Sequence, residues 1–352
     1  MHSIMKGMAW FYGLLCIASM GTILHLSANK AITISEIVQD EVQKNPVEYV
    51  EPEKLSETEE HVLKFEQGKS DTSYLRIPLP ESCSAEDIVI ENHYMDKELC
   101  IVVNGSEEGF YTQNAISGNR EMVGQGTYEI TQEGVRLIFQ LTGIFECRTI
   151  LENNDLYINF LSPREIYDRI VVIDPAYGGE NTGLSAEGLL EKDINLGVAQ
   201  KLKEKLDQTD IKAYYTRMDD VGPSEDARVE LANETRADMY IRIQVDAKED
   251  SALYGTTTIY NGDYFIPGFG SVELADALER EVVTSIKGKA LGLSEAEPQD
   301  YALRNVTVPA AAVKSGCITN KQEAILLGRE EYWDKIAEGI YQAIMKTYEE
   351  DL

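Results

Sequence analysis

The sequence predicts an α/β fold with a mostly parallel sheet flanked by helices, preceded by a small all-β, sandwich-like domain and an N-terminal transmembrane helix. Three observations carry this. Between Ser73 and Pro163, short β-rich runs alternate with turn residues; from Arg169 to the end, strand and helix patterns alternate; and Met8 to Ala28 carries no formal charge apart from the titratable His25. At 352 residues the chain is long enough for two domains with separate cores.

The apolar run "MAWFYGLLCIASMGTILHLSA" follows Lys6 and is nearer the ~20 residues that span a bilayer than the core of a signal peptide. Residues 1–30 are therefore read as an uncleaved anchor with the N-terminus inside, or as a signal cleaved near "SANKA". Both readings export the remainder. Residues 31–68 are acidic and polar, with "EPEKLSETEEH" at their centre, and read as a stalk.

Within residues 69–166 the strands are expected at "YLRIPLP", "DIVIENHY", "ELCIVVNG", "GTYEI", "GVRLIFQL" and "DLYINFLSP". "HYMDKEL" and "ITQEGV" supply the hairpin turns. Cys83, Cys100 and Cys147 fall in this region and would allow one disulfide outside the cell.

Within residues 167–352, "RIVVID", "IKAYYTR", "MYIRIQV", "YGTTTIY" and "VPAAAVKSG" read as strands. A helix over "NLGVAQKLKEKL" places Leu196, Ala199, Leu202 and Leu206 on one face, and "EDARVELANETR" forms another helix. "VELADALEREVVTSI" turns Leu274, Leu278, Val282 and Ile286 inward, and the last helix does so with Trp333, Ile336, Ile340 and Ile344.

The formal charge is -29, from 32 basic against 61 acidic residues, and no basic cluster offers a track for phosphates. Nucleic acid is excluded as a partner on this ground. No C-x-x-C pair exists, so a cysteine zinc site is not expected either.

In an open α/β sheet, function collects at the carboxyl ends of the strands. The loops there are Asp174 to Glu180, Gly188 to Asp193, Gln244 to Ala247 and Lys314 to Asn320. With "IDPAYGG", "GLLEKDINL", "TRMDD", "DARVELAN", "YIRIQVDA" and "LRNVTVPAAAVKSGCITN" in order, residues 169 to 350 resemble the zinc-dependent N-acetylmuramoyl-L-alanine amidases of the Amidase_3 type. Those enzymes cleave the bond between the lactyl group of the glycan and the stem peptide of peptidoglycan. The preceding β-domain is similar in pattern to domains that bind the wall, and a spacer without a ligand is an equal reading.

The resemblance implies a zinc centre, and the residues depart from it. Tyr177 stands where the family has its first histidine ligand, Glu191 keeps the glutamate ligand, and Gln244 stands at the second histidine. Lys314 falls on the family's catalytic glutamate. The four histidines of the chain are His2, His25, His61 and His93, so none follows residue 169. A catalytic zinc takes three ligands from His, Cys or carboxylate plus a water. Neutral glutamine is a poor ligand, and a protonated lysine cannot take a proton from zinc-bound water.

No catalytic residue and no cofactor are therefore expected. Tyr177, Glu191 and Gln244 would be a vestigial metal site, with the Lys314 ammonium pairing with Glu191 and Tyr177 and Gln244 filling the space by hydrogen bonding. A Ca²⁺ site from Glu191 and Asp246 would be thin beside a lysine.

Arg304, at an arginine position near the family's cleft, and Asn320, after the last strand, are candidate substrate-cleft residues or loop structure. Arg217 and Arg228 read as internal ion pairs with the "EDAR" and "MDD" carboxylates, and Asp174 as a residue that orders the glycine turn. The resulting expectation is a membrane-anchored, extracytoplasmic protein that binds peptidoglycan or a cell-wall protein and scaffolds or regulates wall hydrolysis. The alternatives are an active amidase with unusual metal ligands and a purely structural interaction module.

Overall fold

A computed structural model describes residues 32, 34–37, 61–66, 72–264 and 266–349. The Met8 to Ala28 run lies outside the described residues, and no described helix is long and apolar enough to cross a membrane.

Two antiparallel-rich sheets come first. One has six strands in the order Ile34–Glu36, Ile88–His93, Glu98–Asn104, Gly134–Leu141, Val123–Ile130, His61–Val62. The other has four, in the order Ser117–Gly118, Leu75–Pro78, Asp155–Leu161, Glu146–Glu152. Alternate residues of both sheets, among them Ile90, Ile101, Leu137 and Phe139 against Leu75, Ile77, Leu156 and Ile158, share one core. That shared core makes the pair a sandwich.

Two features differ from the sequence expectation. The described ends of the stretch read as a stalk are strands: Ile34–Glu36 runs parallel to Ile90–Asn92, and His61–Val62 pairs with Thr127 and Tyr128. The reason is apolar content at those ends, since Ile32, Ile34, Leu63 and Phe65 pack into the sandwich core. Glu146–Glu152 is a strand that hydropathy did not mark, because it is an outer strand with polar residues along its length. It is joined to Asp155–Leu161 by Asn153 and Asn154 at φ 51° and 62°, the left-handed pair that a tight hairpin turn requires. Cys83, Cys100 and Cys147 are free, so the disulfide left open by the sequence is not formed.

The second half builds a six-stranded sheet in the order Lys212–Tyr215, Ile170–Pro175, Met239–Asp246, Ala310–Cys317, Thr256–Tyr260, Ala290–Glu295. Neighbours are parallel except Thr256–Tyr260 against Ala310–Cys317. Every residue of Ile170–Pro175 and Met239–Asp246 is buried, as continuous strands covered on both faces must be. Helices Glu191–Leu206, Ser271–Ile286 and Glu330–Glu349 cover one face through Val198, Leu202, Leu274, Leu278, Ile336 and Ile340. Of the positions assigned inward, Leu196, Ile286 and Trp333 are only partly buried. Trp333 lies over Gly197, where a Cβ would come within 2.3 Å of the ring, and its indole N–H donates to Leu327 O at 2.6 Å.

Glu225–Glu234 and Tyr301–Asn305 cover the other face, joined there by Tyr94 and Ile144 of the sandwich. The Tyr94 hydroxyl donates to Tyr215 O at 2.9 Å and accepts from Tyr215 N at 3.0 Å. Lys97 reaches Glu230 and Glu234, both at 2.8 Å, and Glu234 also accepts from Ile144 N at 3.0 Å. The sandwich thereby covers the Lys212–Tyr215 edge and leaves the carboxyl ends of the parallel strands to form the site.

Candidate functional site

The first loop leaves the Ile170–Pro175 strand through Tyr177, which has φ 65°. This left-handed conformation is uncommon for a bulky side chain and marks a constrained turn. Gly178 is obligatory next to it, because a Cβ there would lie 2.0 Å from Val221 O. Gly183 is held open for a related reason: its Cβ would sit 2.5 Å from Tyr177 Cδ2 and 2.8 Å from Glu191 Oε2. The tyrosine ring and the carboxylate therefore converge on one point.

Glu191 is the first residue of the Glu191–Leu206 helix and is 1% exposed. Its Oε2 accepts from Leu184 N at 2.8 Å and its Oε1 from Val245 N at 3.0 Å. Burial pushes the carboxyl up from its ordinary value, against the opposing pull of the two backbone N–H groups, Asn195 and the Lys314 charge. The Tyr177 phenol is also pushed up, by burial and by Glu191, and pulled back by Arg242 and Gln244.

Gln244 and Lys314 are register partners on adjacent parallel strands, and Lys314 is opposite Thr257 on its other side. The sheet thus brings Tyr177, Glu191, Gln244 and Lys314 into one corner. The expected Lys314–Glu191 contact is corrected, since among the described residues no direct ion pair joins them. Backbone amides already satisfy both carboxylate oxygens, and the ammonium acts on Glu191 at longer range.

The donor set does not fit zinc. One candidate is a neutral amide and one is a phenol whose proton is held more tightly than usual, which leaves Glu191 as the one carboxylate of the three. The two-carboxylate Ca²⁺ alternative has too few oxygen ligands, and one of its carboxylates, Asp246, already pairs with Lys248 at 2.5 Å.

Beneath this corner lies a second buried carboxylate. Asp174, at 0% exposure, takes a hydrogen bond from Thr216 at 2.6 Å, a contact from Arg242 Nη1 at 3.0 Å, and short contacts from Arg228 and Tyr240. Burial raises its pKa, but the two guanidiniums and two hydroxyls outweigh that and hold it well below the usual carboxylate range. Asp174 bears on the glycine turn through Arg228, whose Nη2 donates to Tyr177 O at 3.0 Å. Arg228 also reaches Glu225 of "EDAR" at 3.6 Å.

Arg217 differs from its expected role. It donates to the carbonyls of Pro175, Ala176, Lys192 and Asp219, and among the described residues no carboxylate pairs with it directly. Burial and the neighbouring Arg228 push its pKa down to about 10. Of "MDD" it is Asp220 that braces the turn, accepting from Gly179 N at 2.9 Å and from Lys192 at 2.6 Å.

Arg304 and Asn320 share no hydrogen bond or ion pair with the four corner residues. Arg304 pairs with Asp263 through Nε at 2.7 Å and Nη2 at 3.2 Å. Asn320 caps the Lys321–Leu327 helix, accepting from Gln322 N and Glu323 N, and donates to Ser251 O at 2.9 Å.

Sequence reasoning passed over Arg242, which is buried and clamps Glu225 through two bonds of 2.8 and 3.0 Å. Its signal was an arginine between two isoleucines in "MYIRIQV", a charge that demands a buried partner.

Comparison with known proteins gives a consistent answer. The N-acetylmuramoyl-L-alanine amidase family, Amidase_3, matches residues 171–346. The uncharacterized protein YqiI of Bacillus subtilis is 33% identical over 185 residues, covering 53% of this chain and 87% of its own. The germination-specific N-acetylmuramoyl-L-alanine amidase of the same organism is 30% identical over 214 residues, covering 56% of this chain and 86% of its own. A crystal structure of an N-acetylmuramoyl-L-alanine amidase from Clostridium difficile, 31% identical, aligns over 52% of this chain and 98% of its own with a TM-score of 0.49. The chain belongs to the cell-wall N-acetylmuramoyl-L-alanine amidase family.

Proposed function

We propose that this protein is a non-hydrolytic member of its family, held outside the cytoplasm by its apolar N-terminal run, that binds peptidoglycan or a cell-wall protein and regulates or scaffolds wall hydrolysis. The observation that carries the reading is the corner itself. Tyr177 and Gln244 stand at two ligand positions, Glu191 is bonded through both oxygens to Leu184 N and Val245 N, and a cation, Lys314, stands where a base is needed. Hydrolysis by the family route needs a polarised water and a group that takes its proton, and this arrangement offers neither.

The corner residues hold the loops instead. Glu191 ties Leu184 of the loop before its helix to Val245 of the Met239–Asp246 strand, and Tyr177 fills the space beside Gly183.

The test is amide hydrolysis of purified peptidoglycan by the full chain in mild detergent, with added zinc and with a chelator, alongside sedimentation with the same wall material. The reading expects co-sedimentation and no release of stem peptide. Stem-peptide release abolished by the chelator would establish the active-enzyme alternative, and absence of co-sedimentation would favour a structural interaction module.

A further inference from the structure

A cleft of about 450 Å³ is bounded by Asp263, Tyr264, Pro298, Tyr301, Arg304 and Asn305. It brings the end of the loop after the Thr256–Tyr260 strand against the Tyr301–Asn305 helix. Two aromatic rings stand open at it, Tyr264 at 42% and Tyr301 at 47% exposure. Tyr264 makes no hydrogen bond among the described residues, so no bonding role accounts for its place at the surface. Tyr301 is positioned by its hydroxyl, which donates to Asp226 at 2.7 Å. Asp226 adjoins Glu225, the residue that clamps Arg242 of the Met239–Asp246 strand.

The charge of the cleft decides its ligand class. Arg304 would attract an anion if it were free, but Asp263 neutralises it through two bonds. What remains is a planar, hydrogen-bonding edge without a free positive charge, with the carboxylates of Glu295 and Asp226 nearby and two exposed rings lining the same cleft. The whole chain carries a formal charge of -29, which further disfavours an anionic polymer. A pyranose fits both features: its C–H face packs on an aromatic ring, and its hydroxyl and acetamido groups bond to the polar edge.

We propose that this cleft binds the face of a neutral N-acetylated sugar, giving the protein a glycan site distinct from the strand-end corner. The proposal deepens the wall-binding reading and rests on it for the choice of ligand.

The experiment is calorimetric titration of the full chain in mild detergent with the hexamer of β-1,4-linked N-acetylglucosamine. This probe has no lactyl–peptide bond, so it reports on the cleft whether or not the protein hydrolyses amides. The expected result is saturable binding that Tyr264→Ala and Tyr301→Ala each weaken about tenfold, while Tyr301→Phe keeps the platform and stays within about threefold of the parent. Tyr264→Ala breaks no hydrogen bond among the described residues and carries the test if Tyr301→Ala melts early. No binding of the hexamer, or binding unchanged by both alanine variants, would overturn the proposal. Binding of a free stem peptide in place of the hexamer would overturn it as well. Zinc-dependent amidase activity with normal hexamer binding would overturn the non-hydrolytic reading and leave this one standing.

Discussion

Asp174 and Glu191 are two buried carboxylates at the same end of one sheet, at 0% and 1% exposure, yet their pKa values move in opposite directions. The difference lies in what surrounds them. Asp174 has Arg228 and Arg242 in contact and the hydroxyls of Thr216 and Tyr240 besides. Glu191 has backbone amides and a lysine at longer range. Burial alone therefore says little about a carboxylate; the charge placed against it decides. Asp174 belongs to the framework on which the loops are built, whereas Glu191 is held in a corner that supplies hydrogen bonds without a contacting counter-charge.

The largest effect that would break this comparison is Asp174→Asn. It leaves two buried guanidiniums facing a neutral amide, and a loss of about 3–5 kcal/mol is expected in urea unfolding followed by circular dichroism. A loss below about 1 kcal/mol would remove Asp174 from the framework role.

Next comes Glu191→Gln, which keeps one acceptor and turns an amide NH₂ toward the other backbone N–H. The cost expected in the same assay is about 1–3 kcal/mol.

The pH dependence sharpens the contrast. The folded value of Asp174 lies below its unfolded one of about 3.9, so its contribution is complete above that pH and is lost as pH falls toward the folded value. Glu191 runs the other way: its folded value is raised, so its ionisation subtracts stability as pH rises from about 4.3 through that value. Asp174→Asn should flatten the acid limb of the stability profile, and Glu191→Gln should leave that limb in place. The smallest effect belongs to Lys314→Met, at less than about 1 kcal/mol, because Lys314 is partly exposed and makes no contact ion pair among the described residues.

Much of this architecture was legible in the sequence where apolar pattern and position coincide. Strands buried on both faces, such as Ile170–Pro175 and Ala310–Cys317, announce themselves as apolar runs, and the ordered loop motifs place Tyr177, Glu191, Gln244 and Lys314 at neighbouring strand ends. Two outer strands were not legible, although the outer strand Lys212–Tyr215 was. Ala290–Glu295 is mostly exposed, and Glu146–Glu152 alternates exposed with partly buried residues that are largely polar, so neither carries a clear apolar stripe. Nor was the Arg304–Asp263 pair, which joins residues 41 apart in the chain through a tertiary contact with no local signature. The capping role of Asn320 did have a local sign, since Glu323 follows three residues later at a helix start.

The central claim is that the corner is a zinc site only in ancestry, and metal content tests it most directly. The full chain and its Tyr177→His/Gln244→His/Lys314→Glu variant would be loaded with zinc, desalted and measured by elemental analysis. The account predicts no retained zinc in the natural chain and about one equivalent in the variant, whose histidines join Glu191 as ligands. One equivalent retained by the natural chain, and lost in its Glu191→Ala variant, would contradict it.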